Sequence, residues 1–374
     1  MFISEEVTRR RGVHQERPQK GNMFSATAAP PRDRLSHFPQ TLLVLALGAC
    51  APSEPPVITD APGEAPPGMV WVPGGRFDMG SESPVAGPEE APVHTVEVDG
   101  FFIDVNSVTN ARFRQFVDAT GYVTVAEGVP DVEELLRQLP PGTPRPPKEA
   151  LVPGSLVFTP TDRDVDLGDW SQWWRWVPGA DWRHPKGPGS SIGGRDDHPV
   201  VHVAWDDAIA FAAWTGASLP TEAQWEYASR GGAGHAEHTW GEQPYDASQP
   251  QAHIYTGAFP TQDATTAPVG SYAPNAYGLY DMSGNVWQWT LDAFDPLAYR
   301  TPRRPRNPVN ADTASTPLRS IRGGSHLCND SYCRGYRVSA RSGNTRDSGA
   351  SHIGFRTVMT VAQWTVWNEH RVSR

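Results

Sequence analysis

The chain has 374 residues and a formal net charge of −10, with 38% hydrophobic residues, 20% charged residues and only 3 Cys. That apolar content is enough for a packed core, the cysteines are too few for a disulfide scaffold, and the charge has the wrong sign for a nucleic-acid binder. With 35 Gly and 37 Pro, these two residues take far more than the usual roughly 12%, which favours loops and turns over a helical bundle.

Residues 41–49 read TLLVLALGA, an unbroken apolar run. It is shorter than the about 20 residues a membrane-spanning helix needs. Arg32 and Arg34 precede it, as in the basic region of a secretory signal. The run ends in Leu47-Gly48-Ala49-Cys50, which resembles a bacterial lipobox. That resemblance implies cleavage before Cys50, a lipid on its thiol, and an exported lipoprotein held at a membrane and facing the periplasm or the exterior. Residues 1–49 are therefore read as a signal region, with translation starting at Met23. The competing reading is a core strand with an incidental cysteine. Residues 50–66 are Pro-rich and lack apolar periodicity, as expected of an extended tether.

Residues 67–360 show no linker and no clean repeat, so they are read as one domain. VWVPGGRFDM (70–79) predicts two short strands around a Pro-Gly-Gly turn, and VHTVEVDGFFI (93–103) two more around Asp99-Gly100. Residues 109–120 predict a helix capped by Thr109, with Phe113, Phe116 and Val117 on one face and Gly121 as its stop. The Pro-rich stretch 129–165 holds one short helix at 131–138. The Trp-dense stretch 166–201 is read as a surface without regular structure. Two more helices are predicted at 206–214, ended by Gly216, and at 221–229, with Thr221 and Gln224 as a capping box. Beyond residue 235 the pattern gives only short strands and loops, hence an α+β fold of low regular content. The tail 361–374 carries Trp364 and Trp367, which suggest docking.

Two stretches hold chemistry. CNDSYC spaces Cys328 and Cys333 wider than the Cys-x-x-Cys of a redox pair, and there is no second Cys pair to complete a zinc site. The alternatives are a plain disulfide, or two soft thiolates suited to Cu(I). Arg322, Arg334, Arg337 and Arg341 nearby favour thiolate, unless they pair with surface carboxylates such as Asp330 or Asp347. LYDMSGNVWQW (279–289) offers oxygen donors suited to Ca²⁺ at Asp281 and Gln288, or else reads as an Asx-turn leading into a core strand. His184, His198 and His202 fit no metal spacing.

Several blocks together resemble the formylglycine-generating enzymes, or sulfatase-modifying factors: MVWVPGGRFDMGS, GADWRHPKGPGSSI, HPVVHVAWDDAIAFAAWTG, LPTEAQWEYASRGG, YGLYDMSGNVWQW and the stretch from GGSHLCNDSYC to HIGFR. The resemblance runs from Met69 to Arg356. It implies an irregular, loop-rich variant of the C-type lectin fold. It implies O₂- and Cu(I)-dependent oxidation of a cysteine, in the Cys-x-Pro-x-Arg motif of an unfolded sulfatase polypeptide, to Cα-formylglycine. Cys328 and Cys333 would hold the copper, with Cys333 bound throughout and Cys328 the mobile redox partner. Ser325, Tyr332 and Trp287 would shape the oxygen and substrate pocket, and Arg341 and Asn344 would contact substrate. His352 stands where the family has another polar pocket residue. Calcium would sit on Asp281, Gly284, Val286 and Gln288, with Gln288 in place of the usual Glu. A second calcium loop, near His253 and Ile254, departs further from the pattern. Structural disulfides of some relatives are excluded, because the matching positions are Ala212, Ser229, Val338 and Thr357. The competing function is a non-catalytic lectin-like module that binds peptides or glycans and closes Cys328–Cys333 as an ordinary disulfide.

Overall fold

Short apolar stretches between frequent turns make small sheets, because no strand is long enough to build a wide one. The computed structural model describes residues 57–138, 142–301, 304–310 and 317–372; the signal region, Met23 and Cys50 lie outside them. Strands β1 (Met69–Val72) and β2 (Gly75–Met79) flank the expected Pro73-Gly74 turn, and β3 (His94–Val98) and β4 (Phe101–Asp104) flank Asp99-Gly100. The partners are crossed. β2 pairs with β3, while β1 pairs with β4.

Helix α1 (Asn110–Thr120) is capped as its sequence dictates. The Thr109 hydroxyl accepts the Arg112 N–H, and Gly121, at φ 69°, donates its N–H to the Val117 carbonyl. A short helix α2 (Val132–Gln138) follows. The next region overturns part of one expectation. The Trp-dense stretch is irregular only in part: its β6 (Trp174–Pro178) forms an antiparallel hairpin with β5 (Gly154–Phe158) of the Pro-rich stretch, and Trp173 and Trp182 are buried. The Pro-rich flanks hid it, since pairing between segments this far apart leaves no local turn signal. Helices α3 (Trp205–Trp214) and α4 (Glu222–Arg230) follow.

From residue 235 to 360 the described chain is strands, loops and one short 3-10 turn, as read from the sequence, but a helix follows at Val361–Val372. A four-stranded sheet runs in the order β10 (Ile353–Gly354), β7 (Trp287–Ala293), β8 (Leu318–Arg322), β9 (Arg341–Thr345), and β11 (Val358–Thr360) returns to pair with β4. The main core lies between α1, α3 and this sheet, where Phe113, Phe211 and Phe355 are buried and in ring contact. Among the described residues no helix is long and apolar enough to cross a membrane.

The end of the stretch read as a tether is tied to the domain, and the tail docks as its tryptophans suggest. Residues 57–66 do not hang free. Ile58 donates to Asp99 Oδ1 at 3.0 Å, and its carbonyl accepts the Gly74 and Gly100 N–H groups. The tail forms helix α5 (Val361–Val372), and the Trp364 indole donates to the Glu64 carbonyl at 2.9 Å. Gly63 is required there, since a Cβ would stand 2.7 Å from the Trp364 ring. The amino-terminal segment is strapped beneath the carboxyl-terminal helix.

Candidate active site

A tight turn presents the two cysteines. Gly324, at φ 68°, stands so close to the next loop that a Cβ would meet the Gly335 and Tyr336 backbone at 2.6 Å. Ser325 is buried. Its carbonyl accepts the Cys328 N–H at 2.9 Å and its hydroxyl the Leu327 N–H at 3.2 Å, so it shapes the turn from within. Between the cysteines, the Asn329 side chain accepts from the Ser331 and Tyr332 N–H groups, and its carbonyl from the Cys333 N–H. This folds the segment back on itself and sets the Cys328 and Cys333 Cα atoms 4.6 Å apart, joined here as a disulfide. Cys328 is buried and Cys333 is partly exposed.

Aromatic residues wall the pair. Trp287, at the head of β7, is pinned by its N–H to the His352 carbonyl at 2.9 Å. Gly335 lets it close in: a Cβ at that position would lie 2.4 Å from the Trp287 ring and 3.2 Å from Cys333 Sγ. Tyr332 stacks on Phe259 with ring centroids 4.2 Å apart and meets Trp173 edge-on at 5.3 Å. Burial pushes its hydroxyl pKa up, against the opposing pull of the Trp173 and Trp174 indole groups facing it. The His352 ring packs on Trp174 at 4.6 Å. The β5–β6 hairpin, missed in the sequence, thus supplies one wall.

Cys328, Cys333, Ser325, Tyr332 and Trp287 come together in this loop and its walls. Arg341 and Asn344 play other parts. Arg341 is buried and holds Glu222 with Nε at 2.8 Å and Nη2 at 2.7 Å, while its guanidinium lies over Tyr299. It is corrected from a substrate contact to a member of a buried ion network. Asn344 turns back on its own loop, donating to the Ser348 carbonyl at 2.8 Å.

Of the two readings of the arginines near the cysteines, pairing with carboxylates is the one that holds, though mostly with buried ones. Arg322 is spent on Glu222 and Glu226, and Arg337 on Glu90, all buried. Arg334 alone stands near the loop's own charge, 3.9 Å from Asp330. His326, two residues before Cys328, is no cation either. Its Nδ1 bonds the Asn285 carbonyl at 2.7 Å, and burial pushes its pKa down to about 3.

The donor set fits a soft, low-coordinate ion once the pair is reduced. Two sulfurs converge among aromatic walls, and the described residues contain no group of three or more His, Cys, Asp or Glu side chains placed to hold a metal. The calcium loop is different: Gln288 Oε1 already accepts from Trp225 Nε1 at 2.9 Å and Arg356 Nε at 2.7 Å.

Sequence reading missed Asn329 and Gly335. Asn329 carried a signal, since Asn two residues before Ser is an Asx-turn pattern. Gly335 carried none, because its need comes from Trp287 across the fold.

A loop-rich α+β domain presenting a near-surface cysteine pair inside aromatic walls defines a recognisable class. The family model described as the sulfatase-modifying factor enzyme 1-like domain matches residues 54–361. The chain is 47% identical over 301 residues to the formylglycine-generating enzyme of Mycobacterium tuberculosis, spanning 78% of this chain and 97% of that protein. It is 36% identical over 307 residues to a mouse protein named inactive C-alpha-formylglycine-generating enzyme 2, spanning 79% and 87%. The solved structure of PvdO from Pseudomonas aeruginosa has the same fold, with a TM-score of 0.51 at 22% identity over 78% of this chain and 94% of that one. The chain belongs to the sulfatase-modifying factor family, whose other members include the formylglycine-generating enzymes.

Proposed function

We propose that this protein oxidises a cysteine of an unfolded sulfatase polypeptide to Cα-formylglycine, with Cu(I) on the reduced Cys328–Cys333 pair and O₂ as oxidant. The observation that carries the reading is the convergence of both cysteines beside Trp287 and Tyr332, in a chain 47% identical to a formylglycine-generating enzyme. Conversion of CH₂SH to CHO with one O₂ releases sulfide and water and needs two further electrons, which a thiol reductant supplies. Bound by the two thiolates, Cu(I) would supply redox chemistry toward O₂ and a soft centre for the incoming substrate thiolate. The chain's own part is positional. Ser325 and Asn329 fix the turn that holds the two sulfurs together. Trp287, Tyr332 and Trp173 keep the surroundings apolar, so a thiol docked there loses competing water. Cys333, the partly exposed member of the pair, is the one a guest thiol would reach first. We further propose export and anchoring through a lipid on Cys50.

A second reading is a peptide- or glycan-binding module, favoured by the closed disulfide and by the inactive relative. The test uses the full chain, reduced and loaded with Cu(I), mixed with a Cys-x-Pro-x-Arg peptide under air. Mass spectrometry reads the loss that replacement of CH₂SH by CHO implies. Turnover supports the oxidase. A disulfide that survives a reductant able to open other native disulfides, together with no mass loss at any copper loading, supports the module.

A further inference from the structure

The loop 281–288 is bent by three left-handed residues, Asp281 (φ 52°), Gly284 (φ 78°) and Asn285 (φ 60°). Such a loop turns carbonyl oxygens inward, and a bound cation is one way to hold them. Here another group does so. Arg356 is fully buried and spreads its guanidinium across the base of the loop. Its Nη2 donates to the Tyr280 carbonyl at 2.7 Å and the Asp281 carbonyl at 3.4 Å, and its Nη1 to the Asp104 carbonyl at 2.9 Å and the Val105 carbonyl at 3.3 Å. Its Nε takes the side-chain oxygen of Gln288, whose amide nitrogen closes the loop on the Asp281 carbonyl at 2.8 Å. Asp281 Oδ2 accepts the Gly270 N–H at 2.8 Å.

The neighbouring segment follows the same plan. His253 Nε2 lies 2.7 Å from the Thr265 carbonyl and must donate to it, while the His253 carbonyl accepts the Asn285 N–H at 2.8 Å. The two loops are thereby joined through protein groups alone.

Charge points the same way. Gln288 is neutral, so the loop's carboxylate is Asp281 alone, already facing the fixed cation of Arg356. A divalent ion would be placed beside a buried guanidinium that Asp281 and the buried Asp104, itself paired with Arg112, already face. A glutamine offers a calcium ion one weak dipole, and that dipole is in use.

We infer that this chain holds both loops without calcium: the Gln288 amide, engaged by the Arg356 guanidinium and Trp225, and the His253 ring, engaged by Thr265, stand where the ion's side-chain ligands would be. The strand leaving the loop starts at Trp287, so the same guanidinium positions a wall of the candidate active site. The inference concerns structure and metal content, and it stands or falls independently of the proposed oxidation.

Full-length protein is purified without chelator, and calcium per chain is counted by native mass spectrometry and elemental analysis. Thermal unfolding is then followed by Trp fluorescence in excess calcium and in excess EDTA. The expected result is no retained calcium and midpoints agreeing within about 1 °C, against a shift of about 5 °C for a site held at a hundredfold excess over its dissociation constant. Retention of one calcium per chain, or a midpoint that drops by several degrees in EDTA, overturns the inference. Because retained ion is counted directly, a site too tight for EDTA to strip still registers.

Discussion

The cysteine loop and the charged centre share one stretch of sequence, since Arg322, Arg337 and Arg341 flank Cys328 and Cys333, yet they are built on opposite plans. At the centre, Glu222 is gripped by Arg341 and Arg322, Glu226 by Arg322 and Arg230, and Glu90 by Arg337 and Ser339, all buried. Nearly every charge there has a short-range partner. The loop from Ser325 to Tyr336 is held mainly by its own backbone and by Asn329, against rings that offer packing and few bonds. Saturated charges make a frame that resists change, because removing one partner strands another in a low-dielectric interior. A loop with so few outside partners can open its disulfide without stranding a charge. Arg322, Arg337 and Arg341 therefore serve the frame and not the thiols, while exposed Arg334 stands near Asp330.

Substitution in each region should fail in a different currency. Cys333→Ala is expected to abolish formylglycine formation, a loss beyond about a thousandfold in kcat/KM, read by mass spectrometry on a peptide. Its cost in stability should stay near about 2 kcal/mol, the chain-entropy value of so small a closed loop. If instead the protein fails to fold, the cysteine loop is part of the frame and the contrast is wrong.

Glu222→Gln should do the reverse. It leaves Arg341 and Arg322 facing a neutral amide, at an expected cost of about 3–5 kcal/mol by denaturant unfolding. Burial alone would push the Glu222 carboxyl up, but Arg341 and Arg322 outweigh it and hold its pKa below the usual 4.5. Its contribution is thus present above pH 4.5 and lost as the pH falls below it. The wild type should lose stability on that acid side, and the variant should lose less of it there.

Gly335→Ala probes the seam between the regions. A Cβ 2.4 Å from the Trp287 ring forces the ring or the loop to shift. A drop of about tenfold in kcat/KM, with an unfolding midpoint changed by only a few degrees, is the expected outcome. A midpoint loss as large as that of Glu222→Gln would mean that the seam belongs to the frame.

Much of this was legible in the chain. Helices α1 and α4 carry their own caps in Thr109, Gly121 and Thr221, so local chemistry announces them. The pair Cys328–Cys333 and its neighbours Ser325 and Tyr332 lie within nine residues, and proximity in sequence became proximity in space. What could not be read depends on distant partners. The β5–β6 hairpin needs residues 154–158 to find 174–178 across an irregular stretch. The role of Arg341 is decided by Glu222, 119 residues away. Gln288 looked like a weakened ion ligand because nothing local shows that Arg356 reaches it.

The clasp of the two termini offers the test mildest on turnover. Trp364 fills the notch at Gly63 and bonds the Glu64 carbonyl, and Arg371 adds an exposed pair with Glu64 at 2.9 Å. Such exposed pairs contribute little, so the indole is the main fastener. Trp364→Ala should cost about 3 kcal/mol, the low end for a large buried ring, since the ring sits at the edge of a small cluster with Phe102 and Met359. The strap at residues 57–66 should become a site of protease cleavage under conditions where the wild type resists. Peptide turnover and the acid-side stability profile should not move, since Trp364 contacts neither the sulfurs nor the buried carboxylates. If turnover falls with the clasp, then the amino-terminal strap reaches the active-site loop through β1 and β4, and the site depends on more of the fold than its own walls.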